Sequence, residues 1–157
     1  MQIQRITLKD DLPALVRDIN SARWDEANEI TAYKAEDLAD YLQRQDTVFI
    51  ACYDSAGRQN NLLGIASARI QIKPYDKELW LYIDEVDVCA DQRKKGAGKA
   101  MMRELIAIAR ESGCQEVWLG TEVDNIPANA LYKSLQPDEV EQFVGYSYCM
   151  DEQAGQL

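Results

Sequence analysis

Apolar positions along this chain follow two periods. Residues 2–8 alternate apolar and polar, as a half-buried strand does. Leu12, Leu15, Val16 and Ile19 then recur at three- and four-residue spacing, the stripe of an amphipathic helix. Asp10 or Asp11 stands where a cap belongs, and Pro13 falls in the first turn. Ala35, Leu38, Tyr41 and Leu42 mark a second, shorter helix. Thr47–Tyr53 and Leu62–Ile72 read as strands joined by a turn rich in Ser, Gly and Asn, an antiparallel hairpin. A short loop containing Lys73-Pro74 leads to another strand-like run, Leu79–Val88.

The helical period returns over residues 99–112, where Met101, Met102, Leu105, Ile108 and Ala109 form one stripe. The two methionines in it are core residues on this reading. Gly113 is placed to end the helix. Residues 116–121 resemble a buried strand, so the run from Leu79 through the helix makes a βαβ unit with parallel strands. Pro127 starts a short helix reaching Leu135, and residues 142–150, rich in aromatics and valine, are the expected last strand. This order predicts a mixed central sheet in an α/β or α+β domain, one domain over residues 1–157.

Composition narrows the function. No apolar run approaches the ~18 residues of a membrane helix, and the first residues lack a signal-peptide pattern, so the expectation is a cytoplasmic protein without a membrane partner. Cys52, Cys89, Cys114 and Cys149 are far apart, without a C-x-x-C pair, and read as small buried hydrophobes. The absence of histidine removes His-based triads and most zinc sites, and no metal is expected. Proton transfer must then run through carboxylates, Tyr, Lys, Cys or water. A net charge of −10, 17 basic against 27 acidic residues, argues against nucleic acid and favours a cationic partner. The chain beyond Lys133 has no basic residue and carries Asp138, Glu139, Glu141, Asp151 and Glu152.

The strongest local signal is Arg93-Lys94-Lys95-Gly96-Ala97-Gly98-Lys99, between the Leu79–Val88 run and the long helix. A glycine-bearing turn feeding a helix aims unpaired N–H groups at one point, where the helix dipole and the flanking cations also favour phosphate oxygens. A Walker loop fails because Gly98-Lys99 is followed by Ala100, and a dinucleotide fingerprint fails at Met101. The remaining pattern, [QR]-x-x-G-x-[GA], resembles the pyrophosphate loop of the GNAT acyl-CoA N-acyltransferases. Asn125-x-x-Ala128-x-x-Leu131-Tyr132 is similar to the family's second signature, N-x-x-A-x-x-L-Y. Within the family the closest likeness is to the GNAT-type aminoglycoside 3-N-acetyltransferases, through the strand acids, the Lys73–Leu79 connection, the Pro127-Ala128 element and Asp138-Glu139-Val140.

That resemblance implies a GNAT fold, whose parallel strand pair splays apart, and acetyl-CoA as donor. Backbone groups near Val86 and Val88 would pair with the pantetheine arm, Asn125 would hydrogen-bond it within the Asn125–Ala128 element, and Arg93 through Ala100 would hold the pyrophosphate. Tyr132 would protonate the leaving thiolate. One departure stands out: many members follow the tyrosine with a Gly-Phe turn, where this chain has Leu135-Gln136-Pro137.

The chemistry itself needs a neutral amine. With a pKa near ~10.4, about one alkyl amine in a thousand is neutral at pH 7, a handicap of roughly 4–5 kcal/mol. A carboxylate holding a water can take that proton during attack. Tyr82-Ile83-Asp84-Glu85-Val86-Asp87-Val88 offers three carboxylates. Asp84 and Glu85 lie on opposite faces of a regular strand, so at most one faces the acceptor unless a bulge re-aims them. Asp84 and Glu85 are the candidate bases; Glu85 is favoured for catalysis and Asp84, with Asp87, is assigned to gripping a cation; the alternative is that all three pair with Arg or Lys on the sheet. The Val88 N–H is the simplest oxyanion donor. Trp24, Asp25, Glu26 and Glu29 suit an acceptor wall for a polycationic amine, though an exposed loop has the same composition. The acceptor readings are a small polycation such as an aminoglycoside, a polyamine or protein amine, or none, in a non-catalytic acyl-CoA sensor. A homodimer is open to any of these.

Overall fold

The computed structural model describes residues 1–55 and 61–150. It divides into two compact units, Met1–Gly120 and Thr121–Leu157. The first unit is a five-stranded mixed sheet in the order β1 (Gln2–Arg5), β2 (Thr47–Tyr53), β3 (Leu62–Ile72), β4 (Leu79–Val88), β5 (Glu116–Trp118). The first three pairings are antiparallel and β4–β5 is parallel, the α+β class expected. Gly57 and Asn60 of the β2–β3 turn, and Asp151 and Glu152 of the acidic tail, lie outside the described residues.

Helix α1 (Leu12–Ser21) begins as its sequence dictates: the Asp11 side chain accepts from the Ala14 N–H at 3.0 Å, with Pro13 in the first turn. Its stripe of Leu12, Leu15, Val16 and Ile19 packs with Leu38 of α2 (Ala35–Gln43) and with Phe49, Ala51, Leu62 and Ile65 of the sheet. The other face is covered by α3 (Ala97–Glu111), whose buried Met101, Met102, Leu105, Ile108 and Ala109 fill the predicted stripe against β3 and β4. Gly113, at φ +76°, follows α3 in the left-handed conformation a glycine adopts at no steric cost. Helices therefore cover both faces of the sheet, while β4 keeps Asp84 and Glu85 exposed.

Two expectations fail in detail. Strand β5 stops at Trp118 rather than at residue 121. In the second unit, α4 (Ile126–Lys133) forms as predicted, but residues 142–150 make no strand among the described residues. Their pattern satisfies only the local requirement; a strand also needs a ladder partner for its N–H and C=O groups. Val144, Tyr146, Tyr148 and Met150 are exposed. The cysteines also divide: Cys52 and Cys89 are buried as expected, whereas Cys114 is half-buried and Cys149 exposed. Among the described residues no helix is long and apolar enough to cross a membrane.

Candidate active site

Strand β4 is the spine of the site, and it is irregular where it matters. Ser67 of β3 pairs with Glu85, but its neighbour Ala68 pairs with Ile83, so Asp84 is an extra residue on β4. Such a bulge breaks the alternation of faces. Glu85 and Asp87 stand opposite Ser67 and Ile65, and Ile65 belongs to the core shared with α1 and α2. Asp84 reaches the same face: its carboxylate receives Arg69 Nε at 3.2 and 3.1 Å and Nη2 at 2.9 Å. All three carboxylates thus share one face, which a regular strand forbids. Arg69 is the partner missing from the sequence reading. Its signal was its place on the hairpin strand opposite the acids.

Burial separates the three. Asp84 and Glu85 are exposed, while Asp87 is 7% exposed, the sole buried charged residue among those described. Asp87 Oδ1 accepts from Asn28 Nδ2 at 2.6 Å, and Oδ2 is buried with no hydrogen-bond partner among the described residues. Burial pushes the Asp87 carboxyl up to about 6; the Asn28 bond opposes this and the Glu85 charge adds to it. Burial, with the charges of Glu85 and Asp87 adding, raises the Tyr33 phenol to about 12. Tyr33 therefore stands near both acids.

The segment between α1 and α2 folds over the C-terminal end of β4. Ala90 N–H donates to Arg23 O at 2.7 Å, Arg93 Nη1 pairs with Asp25 at 2.8 Å, and the 3₁₀ turn Glu26–Asn28 delivers Asn28 to Asp87. Trp24 packs against the α1 core and donates its indole N–H to Ile19 O at 2.8 Å. Glu26 is exposed. Asn28 is the functional candidate that sequence reasoning missed, because one Asn in a polar turn carries no pattern.

The rest of the candidate site is an open strand edge and a curled loop. The parallel ladder ends at Tyr82–Trp118, so β4 from Ile83 to Val88 has no ladder partner on its β5 side among the described residues. Lys94 and Gly96 both take left-handed φ, +63° and +87°. A Cβ at Gly96 would meet only Met1 Cε, at 3.8 Å, so the glycine serves the turn's conformation. Helix α3 opens without a side-chain cap, and Ala97 and Gly98 precede its first internal bond, Ala100 N–H to Gly96 O at 2.9 Å. Their N–H groups suit phosphate oxygens. Lys95 is tied to Gln92 at 2.6 Å and Arg93 to Asp25. Thus the Arg93 side chain ties the segment between α1 and α2 to the loop.

In the second unit, Asn125 caps α4 by accepting from the Ala128 N–H at 3.3 Å. That explains the three-residue spacing of this pair, since a cap side chain bonds the N–H two or three residues into the helix. Tyr132 lies in the last turn of α4, half-buried. Gln136 adopts φ +56° in the Leu135-Gln136-Pro137 exit.

A mixed sheet with an interrupted parallel pair, a glycine loop opening a helix and strand carboxylates beside the gap defines the N-acyltransferase class. The chain belongs to the acetyltransferase (GNAT) family, whose model matches residues 14–136. Among curated relatives, N-acetyltransferase family 8 member 7 of Mus musculus is 28% identical over 99 residues, 63% of this chain and 44% of that protein. Streptothricin acetyltransferase of Streptomyces lavendulae is 26% identical over 114 residues, 73% of this chain and 51% of its own. The chain thus spans about half the length of the curated relatives it matches. A solved aminoglycoside acetyltransferase from an uncultured soil metagenomic sample, in complex with sisomicin, shares the fold with a TM-score of 0.78 and 21% identity, 96% of each chain being covered.

Proposed function

We propose that this chain transfers acetyl from acetyl-CoA to a primary amine of a small polycationic acceptor, such as an aminoglycoside, by direct attack in a ternary complex. The observation that carries the reading is the bulge at Asp84, which sets three carboxylates on one face of β4. An open β4 edge and the glycine loop lie beside them. An acidic face suits an acceptor with several ammonium groups, because each carboxylate lowers the energy of a nearby cation. The names of the streptothricin and aminoglycoside acetyltransferases support the same acceptor class.

Acetyl-CoA supplies an activated thioester. The Ala97 and Gly98 N–H groups, with Lys94, Lys95 and Lys99, hold its pyrophosphate, and the backbone of Val86 and Val88 aligns the pantetheine arm, to which Asn125 is assigned as a hydrogen-bonding partner. Glu85 accepts the ammonium proton through a water, so that the nitrogen lone pair can bond to the acetyl carbon while the carbon–sulfur bond breaks. The Val88 N–H meets the negative charge developing on the acetyl oxygen. Tyr132 gives the departing thiolate its proton and regains one, through water, from the nitrogen, which sheds its second proton as the amide forms. Asp84 and Asp87, with the wall of Trp24 and Glu26, orient the cation.

The test is mass spectrometry of products after incubation with acetyl-CoA and a panel of aminoglycosides, polyamines and basic peptides. Tyr132→Phe and Glu85→Gln run alongside. Acetylated aminoglycoside, reduced at least a hundredfold in both variants, is the expected result. Acetyl-CoA binding with no product from any amine would overturn the catalytic reading and leave an acyl-CoA sensor. Product from polyamines or peptides alone would move the acceptor class.

A further inference from the structure

The acid face of β4 continues toward its N-terminal end as an aromatic surface. Trp80 and Tyr82 stand opposite Gln71 and Arg69, which alternate with Ser67 along β3, so their rings lie on the face that carries Glu85. Trp118 stands opposite Tyr82 across the parallel ladder. Trp80 and Tyr82 stack, with ring centroids 6.0 Å apart and planes at 27°. Trp118 leans on Tyr82 at 5.9 Å. All three rings are half-buried and lie outside the core shared with α1 and α2.

This surface already holds an ammonium. Lys73 Nζ sits 3.8 Å from the Trp80 ring centroid and 5.1 Å from that of Tyr82, and it donates to the Tyr82 hydroxyl. Electron-rich ring faces attract a cation, Trp most strongly. A primary ammonium on a ligand presents the same donors and charge as Lys73 Nζ, so the rings cannot tell the two apart. Trp80 Nε1 is buried with no hydrogen-bond partner among the described residues, a donor that an oxygen of a ligand could satisfy.

We propose that Trp80, Tyr82 and Trp118 form a distal subsite for a second cationic group of the acceptor, and that Lys73 occupies it when no acceptor is bound. The proposal rests on the acetyl-transfer reading and adds a spacing rule to it. Tyr82 and Glu85 are three positions apart with one residue bulged, which places the subsite about 7–10 Å from the reacting nitrogen. The acceptor is therefore at least a dication, with one amine at Glu85 and another over the rings. A monoamine leaves Lys73 in place; a diamine of matching length displaces it.

Diaminoalkanes of graded length, each paired with the monoamine of equal carbon count, test the rule with acetyl-CoA as donor. The readout is the diamine-to-monoamine ratio of kcat/KM. In Lys73→Gln the ratio for the best-matched length rises about three- to tenfold, mainly through KM. Adding Tyr82→Leu removes that gain, and Lys77→Gln, which deletes a nearby hairpin charge, produces none. A ratio unchanged in Lys73→Gln, or a gain that survives Tyr82→Leu or appears in Lys77→Gln, overturns the subsite. Should no amine be acetylated, the transfer reading fails separately. The subsite is then judged by quenching of tryptophan fluorescence, diamine against monoamine, on the same variants and criterion.

Discussion

Asn28 donates its amide to Asp87 at 2.6 Å, joining residues 59 positions apart and tying the wall between α1 and α2 to the end of β4. The same Asn28 oxygen accepts from the Asp25 N–H at 3.1 Å and from Arg93 at 3.5 Å, so one side chain links the segment between α1 and α2, the strand and the loop. A buried carboxylate with one satisfied oxygen is held there at an energetic cost.

That cost depends on pH. The Asp87 carboxyl is raised from 3.8 to about 6, so the folded chain binds its proton more tightly than the unfolded chain does between those values. Its contribution to stability is accordingly greatest in acid and falls as pH rises through that window. Asp87→Asn keeps an acceptor for Asn28 and removes the charge. Relative to the parent it should gain up to about 2 kcal/mol at pH 7.5 compared with pH 4. Urea unfolding of both proteins at the two pH values measures this; an equal difference at both would refute it.

Gly64 is required by close packing. A Cβ there would lie 2.4 Å from Asp87 O, 2.8 Å from Met101 Cε and 3.3 Å from the Val88 Cα. The methionine end can swing away, but two of the three neighbours are backbone of β4. Gly64→Ala should therefore cost about 2–4 kcal/mol. If Val88 aligns the donor, it should also weaken acetyl-CoA binding. A midpoint in urea close to the parent's would show that β4 yields more easily than its packing implies.

How much of this was legible in the sequence depends on the range of the cause. Helices α1 and α3 were readable because Asp11, Pro13 and Gly113 act within a few residues and the apolar stripes repeat locally. The Gly96 loop was readable for the same reason. The bulge was not, since it exists only in the register of β3 against β4, and the acids in Asp84 to Asp87 hide any alternation. Arg69–Asp84 and Asn28–Asp87 depend on that register and on a loop's path. Residues 142–150 show the converse error, a local strand pattern with no ladder partner among the described residues.

Asp84 and Glu85 are neighbours with different expected phenotypes. Asp84 is already paired with Arg69, at a partly exposed site where such a pair contributes under about 1 kcal/mol. Asp84→Asn should leave stability within that margin and alter KM for the amine by less than about tenfold. If Glu85 takes the amine proton, Glu85→Gln should lower kcat by roughly 10²–10⁴. Steady-state kinetics on a product-forming amine separates the two. A larger kcat loss in Asp84→Asn would transfer the base to Asp84.

The turn after α4 carries a strain that a single substitution should relieve. Gln136 adopts φ +56° and donates its N–H to Lys133 O at 3.1 Å, closing the helix in the manner of a left-handed cap. For a residue with a Cβ that conformation costs roughly 1–2 kcal/mol, and Pro137 presses the residue before it toward extended geometry. Glycine removes the steric cost but gives the unfolded chain extra freedom, an opposing term of about 0.4–1 kcal/mol. The first effect is the larger, so Gln136→Gly should stabilise by about 0.5–1 kcal/mol. Gln136→Ala, which keeps a Cβ, should bring no such gain. Thermal unfolding of the two variants decides it: equal midpoints would mean that the turn relaxes without help from glycine.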